Sequence, residues 1–261
     1  MGQYLELGEV RTWYEERGQG EPLVLMHGAH VDSRFFEANI DALAERFRVF
    51  MPERRGHGHT PDVDGPITYD LMSEDTLSFM EAVVDGPAHL VGHSDGAFIG
   101  LLIAIRRPEL VRKLVMVSGG FHRDGLLPPA ADFDVDGVVE FLAAPYGEVS
   151  PDGEEHFRVV VEKLAQMSAS EPALEETELA KVKSRTLAMF GDDDVLTVEH
   201  MNATYEAIPD CELAIVPGTS HFLLQEKPAL CNTMILDFLT SEPVPTVAPI
   251  RRAPPGAGDV A

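Results

Sequence analysis

Apolar residues along this chain gather into short, nearly unbroken runs: Leu23 to Met26, Val49 to Met51, His89 to Val91, Leu114 to Val117, Leu187 to Phe190 and Leu213 to Val216. Runs of this length without polar alternation suit strands covered on both faces, as in a parallel sheet. Longer stretches of helical period lie between them. Ser33 to Glu45 sets Phe36, Ile40 and Leu43 on one side, and Asp70 to Val84, Asp95 to Arg107 and Pro228 to Leu239 read the same way, with Pro108 ending the third. Residues 3 to 16 read as an antiparallel opening hairpin. A hairpin followed by alternating strands and helices predicts an α/β protein with a mostly parallel central sheet flanked by helices. Ligands are then expected at the carboxyl ends of the strands.

The alternation breaks once. Residues 121–183, which follow the sixth strand, contain helical patterns at Val135 to Ala144, Glu154 to Met167 and Leu174 to Val182 and no strand pattern. The expected division is a core of residues 1–120 and 184–240, a helical cap of residues 121–183, and a proline-rich mobile tail of residues 241–261. An insertion at a strand's carboxyl end can roof a pocket; an ordinary helical excursion is the plainer alternative. Phe133, Phe141, Leu142, Tyr146, Phe157 and Met167 would line either version, and Phe141, Tyr146 and Phe157 are the candidate substrate contacts from this region.

Charge narrows the partners. The 20 Lys and Arg against 44 Asp and Glu give a formal net charge of −24, which repels polyanions, so neither nucleic acid nor an anionic membrane face is an expected partner. A solvated acidic surface explains the same excess without any partner. Cys211 and Cys231 match no metal spacing and form no disulfide framework, which points to a reducing compartment. The start, MGQYLELGEV, lacks the basic flank and apolar core of a signal peptide, and the longest apolar stretch, Ala97 to Ile105, is far short of the roughly 20 residues of a membrane span. A cytoplasmic protein, monomer or homodimer, is the expectation.

The sharpest chemical signal is Gly92-His93-Ser94-Asp95-Gly96, directly after one apolar run and directly before an apolar helix. A serine in a tight strand-to-helix turn is held in a strained backbone with its hydroxyl exposed, and flanking glycines remove the side chains that would collide with strand and helix. The following helix aims its first N–H groups at the charge that develops during acyl transfer. The pentapeptide alone is a weak signal. A serine nucleophile also needs a histidine base and a carboxylate to hold that base's tautomer. Both types occur downstream at strand ends, in Gly191-Asp192-Asp193-Asp194 and in Gly218-Thr219-Ser220-His221. Asp192, Asp193 and Asp194 are all candidates, and Asp124 is a weaker one.

With these residues the chain resembles the α/β-hydrolase superfamily, in its serine esterase branch, over residues 3–240. The supporting motifs are Leu25-Met26-His27-Gly28-Ala29, the stretch Pro52 to Thr60 (PERRGHGHT), the turn at Ser94, the Gly191 to Asp194 turn, and Gly218 to His221 followed by Glu226-Lys227-Pro228. The resemblance implies Ser94 as nucleophile, His221 as base, Asp194 as the acid through a G-x-x-D spacing, and the backbone N–H groups of Ala29 and Asp95 as the oxyanion hole. It implies no cofactor and no metal, and a small-molecule ester or lactone of small to medium size as substrate. Carbon–carbon, thioester and amide hydrolysis and perhydrolysis use the same constellation, and some relatives keep these residues as ligand receptors.

Two further readings stay open. The Ser-Asp-Gly sequence is similar to that of valacyclovirase-type esterases, so Asp95 is either an anion facing an ammonium-bearing ester or a carboxylate satisfied by N–H groups at its own helix start. His30 is expected at the pocket edge, whereas Arg54, Arg55, His57 and His59 are expected to tie down a loop.

Overall fold

The computed structural model describes residues 2–128, 134–243 and 246–248. Phe133 and most of the proline-rich stretch from residue 241 onward lie outside them. The strands are β1 (Gln3–Leu7), β2 (Val10–Arg17), β3 (Glu21–Met26), β4 (Phe47–Pro52), β5 (Ala88–His93), β6 (Val111–Val117), β7 (Arg185–Asp193) and β8 (Cys211–Ser220). They form one sheet in the order β1-β2-β4-β3-β5-β6-β7-β8. The β1–β2 and β2–β4 pairs are antiparallel, and every pair from β4 through β3 to β8 is parallel.

Helices cover both faces. They are α1 (Glu37–Ala44, entered through a 3₁₀ turn at Ser33–Phe36), α2 (Tyr69–Phe79), α3 (Asp95–Arg106), α4 (Val135–Gly147), α5 (Phe157–Ser168), α6 (Glu176–Leu179), α7 (Val198–Ala207), α8 (Leu223–Glu226) and α9 (Pro228–Thr240). Ile40 and Leu43 of α1 and Ile235 and Phe238 of α9 pack with Leu25, Val49 and Val115 on one face. Met72 and Phe79 of α2 and Ile99 and Leu102 of α3 pack with Val24, Phe50 and Leu90 on the other. Alternate residues of each strand therefore feed two cores, and each interior strand reads as a continuous apolar run. β8 departs from that expectation. It ends the sheet, so Leu213 and Ile215 stay 36% and 41% exposed.

Thr68 caps α2 by accepting from the Leu71 N–H, and the helix widens at its end, where the Asp85 N–H reaches back to Met80 O. The pattern over Leu174 to Val182 yields only the single turn α6. The helix α7 has no counterpart in the expected elements, because only His200, Met201 and Thr204 are buried along it and no apolar stripe advertises it; Thr197 caps its start.

The segment between β6 and β7 carries α4, α5 and α6. Phe157, Val160 and Leu164 of α5 join the same core cluster as Ile67 and Tyr69. Two polar ties add to that packing: Arg34 donates to Glu148 and to the Pro145 carbonyl, and Asp62 accepts from Lys163 and His156. Both cysteines are buried and unbridged. Among the described residues no helix is long and apolar enough to cross a membrane.

Candidate active site

Ser94 stands in the tight turn between β5 and α3, with φ 54° and ψ −119°. A non-glycine residue there stores roughly 1–3 kcal/mol of strain, which the surrounding structure must hold in place. Close backbone approach does so. A Cβ on Gly92 would lie 2.2 Å from the Gly96 carbonyl oxygen, and one on Gly96 would lie 2.1 Å from that of Met26. The glycines thus let β5, β3 and α3 close around the serine, and the Ser94 N–H is anchored on Val117 O at 2.8 Å.

His221 and Asp194 arrive from the ends of β8 and β7. The His221 Nε2 lies 3.0 Å from Ser94 Oγ, and its Nδ1 lies 2.8 Å from Asp194 Oδ1. A carboxylate only accepts, so Nδ1 carries the proton and Nε2 is free to accept the serine's. Asp194 is the member of its triplet that faces inward; Asp192 and Asp193 are exposed, and Asp192 accepts from the Thr219 N–H instead. Asp124 is exposed too, at the end of the loop after β6. Burial pushes the Asp194 carboxyl upward, but hydrogen bonds from His221, from Ser118 Oγ at 2.5 Å and from the Gly191 N–H outweigh it, so it stays below the usual carboxylate range.

Several contacts at the site are ones that the sequence does not signal. Ser118, at the end of β6, has φ 51° and turns its hydroxyl onto Asp194. His93 donates from Nε2 to the His221 carbonyl at 2.8 Å and stacks on Phe35 at 4.3 Å between centroids. Burial pushes it down to about 3, so it remains a neutral brace for the His221 main chain. The Asp95 carboxylate is not satisfied by N–H groups at its own helix start: Oδ1 accepts from the Tyr69 hydroxyl at 2.7 Å, and Oδ2 is buried without a protein donor. Tyr69 is held well above its ordinary range by burial, then by Asp95, and so keeps the proton it donates.

Ala29 sits at the first turn after β3 and Asp95 at the start of α3. Among the described residues neither backbone N–H donates to a protein acceptor. Ala29, Ser94, Asp95 and His221 share a cavity of about 570 Å³. His30, Phe35 and Tyr69 line it from the sheet side, and Phe141, Leu142 and Leu164 from the α4–α5 side. His122, Arg123 and Glu171 add polar groups to its lining. Phe141 is 80% exposed at its edge. Tyr146 and Phe157 instead line an adjoining cavity of about 200 Å³ that shares His30 and Leu142 with the larger one. Arg55 pairs with Asp75 and Glu9, and His59 binds Glu53 and stacks on Trp13, so these residues do tie down the loop after β4.

Known proteins resemble this arrangement over most of the chain. A family model described as the alpha/beta hydrolase family matches residues 23–233. A protein of Azorhizobium caulinodans named "Putative carbamate hydrolase RutD" is 29% identical over 259 residues, spanning 90% of this chain and 97% of its own. The 2-hydroxy-6-oxo-6-(2'-aminophenyl)hexa-2,4-dienoic acid hydrolase of Metapseudomonas resinovorans is 27% identical over 268 residues, 91% of this chain and 90% of its own. The solved structure of a serine hydrolase involved in carbazole degradation, the CarC enzyme, matches with a TM-score of 0.77 and 26% identity, covering 92% of this chain and 98% of that one.

Proposed function

The chain belongs to the alpha/beta hydrolase family, and from that premise we propose that it hydrolyses small to medium acyl compounds, carboxylic esters or lactones first, through an acyl-enzyme on Ser94. The observation that carries this reading is the unbroken line from Ser94 Oγ through His221 to Asp194, at 3.0 Å and 2.8 Å, opening on a largely apolar cavity.

In this mechanism Ser94 Oγ attacks the substrate carbonyl as its proton passes to His221 Nε2. The oxyanion is held by the N–H groups of Ala29 and Asp95, each worth about 10² to 10³ in rate by analogy with measured oxyanion donors. Collapse breaks the bond to the alcohol, which leaves with the proton from His221. Water then attacks the acyl-serine with His221 again as base, the acid is released and Ser94 regains its proton. Asp194 keeps the imidazole in the tautomer that can accept, and it stabilises the imidazolium. Residues 121–183 act as a cap, with Phe141 and His30 contacting substrate in the main cavity and Tyr146 and Phe157 backing its neighbour.

The relatives' names favour a second reading on the same residues: a carbamate, or the carbon chain of a hydroxy-oxo-dienoic acid, in place of an ester. The test has two parts. A fluorophosphonate should label wild type stoichiometrically at Ser94 and leave Ser94→Ala unlabelled. Asp194→Asn should lose about 10⁴ in turnover through the wrong tautomer, while Asp193→Asn stays near wild type. A panel of esters, lactones, carbamates and dienoic acids followed by pH-stat or absorbance then ranks the substrate classes. Labelling at another residue, or turnover retained by Ser94→Ala, overturns the mechanism. Weak labelling with negligible turnover on the whole panel supports a ligand-binding protein instead.

A further inference from the structure

Beneath the Ala29 turn lies a cation to which the mechanism above gives no role. Arg54, just past β4, is only 5% exposed, and among the described residues no carboxylate lies within salt-bridge distance of it. Its guanidinium is spent on the turn between β3 and Ala29. Nη1 donates to the His27 carbonyl and Nη2 to the Gly28 carbonyl at 2.7 Å. The Arg54 backbone N–H approaches His27 Nε2 at 3.4 Å, and His27 Nδ1 lies 2.9 Å from the same Gly28 oxygen and 3.2 Å from Arg54 Nη2, so the ring packs against both the arginine and the peptide it holds. The Gly28 carbonyl thus accepts from a buried charged donor.

The Gly28 carbonyl and the Ala29 N–H are opposite ends of one planar amide. Clamping the oxygen therefore sets the direction of the N–H, and a charged donor on the oxygen draws electron density from the nitrogen and strengthens that N–H as a donor. Burying an arginine for this is costly, and its Nε finds no protein partner. An apolar side chain could fill the space without that cost, so packing does not account for the residue. Burial lowers Arg54 to about 10, with Asp95 and Tyr69 opposing, so the group is charged throughout the neutral range.

We propose that Arg54 is a positioning residue for the oxyanion hole, holding and polarising the Gly28–Ala29 peptide so that the Ala29 N–H is aimed at the transition-state oxygen. This rests on the acyl-enzyme reading given above. The effect belongs to the transition state more than to the ground state, so it appears in kcat and not in KM.

The experiment uses Arg54→Met and Arg54→Lys in the full chain. Sites are counted by fluorophosphonate stoichiometry, with kcat and KM measured on p-nitrophenyl acetate and inhibition measured with a trifluoromethyl ketone, which forms a tetrahedral adduct. For Arg54→Met, kcat per labelled site should fall about 10- to 100-fold, less than complete loss of a donor. KM should move less than about threefold, and ketone affinity should weaken by the same factor as kcat. Arg54→Lys, which keeps charge and a donor for one carbonyl, should fall between wild type and Arg54→Met. If Arg54→Met does not fold, Arg54→Lys decides on the same readouts. A lowered melting temperature with kcat per site and ketone affinity unchanged overturns the proposal. Failure of wild type to label at Ser94 would instead overturn the acyl-enzyme reading.

Discussion

Replacing Ser118 with alanine isolates one of the bonds that keep Asp194 ionised in a buried place. The Ser118 hydroxyl donates to Asp194 Oδ2 at 2.5 Å, and the pair is buried, with Ser118 only 2% and Asp194 only 6% exposed. Hydrogen bonds to charged groups contribute about 1.5–3 kcal/mol. The carboxylate would retain its donors from His221, Gly191 and Val195, so the site should persist while the unfolding equilibrium shifts roughly ten- to a hundredfold at about 1.4 kcal/mol per decade. The sign of the pH dependence follows from the lowered carboxyl. Its contribution is complete above the unfolded value near 3.9 and is lost as pH falls through the folded value, because a protonated carboxyl gains little from an extra donor. Urea unfolding of wild type and Ser118→Ala should therefore differ most at pH 7, begin to approach each other below about pH 4 and converge only below the lowered folded value. Ser118→Gly separates the hydroxyl from the backbone. Relief of the positive φ, roughly 1–2 kcal/mol, outweighs or matches about 0.4–1 kcal/mol of added unfolded-chain entropy, so it should be no less stable than Ser118→Ala. A difference under about 0.5 kcal/mol at pH 7, or one that does not change with pH, would refute the account.

Two other perturbations test the packing around the site. Gly96→Ala brings a Cβ to 2.1 Å from the Met26 carbonyl and 2.7 Å from that of His27, both backbone atoms that cannot swing aside, so a loss of about 1–3 kcal/mol or failure to fold is expected; an unchanged urea midpoint would contradict the close approach of α3 to β3. Phe141→Ala, at an 80% exposed position, should leave stability within about 0.5 kcal/mol while changing preference along a series of acyl chain lengths. Phe157→Ala, at 1% exposure, should cost about 3–5 kcal/mol by comparison. Equal effects of the two on chemical denaturation would refute this division of roles.

Much of the protein is local, and what is local is legible in the chain. Apolar runs mark β3 to β7, because an interior strand needs apolar side chains on both faces whatever its neighbours are. Gly92 and Gly96 mark the turn at Ser94, because its backbone tolerates no Cβ on either side. The choice of Asp194 over Asp192 and Asp193 is not local: it depends on the irregular β7–β8 register between Gly191 and Asp193, which turns one carboxylate inward and leaves two in solvent. Ser118 and Arg54 reach their partners across 76 and 26 positions of chain. Tyr69 meets Asp95 across 26 more, and His221 meets Ser94 across 127. Spacing carries no trace of such pairs, since they form only once strand order brings loop ends to one rim of the sheet. Phe157 and Tyr146 make the same point from the apolar side. Their sequence marked them as candidate pocket lining, and only the packing of α4 against α5 decided that they would line the smaller cavity while Phe141 lines the larger. Periodicity and backbone tolerance are properties of a few consecutive residues; which side chains face a common cavity is a property of how distant segments pack.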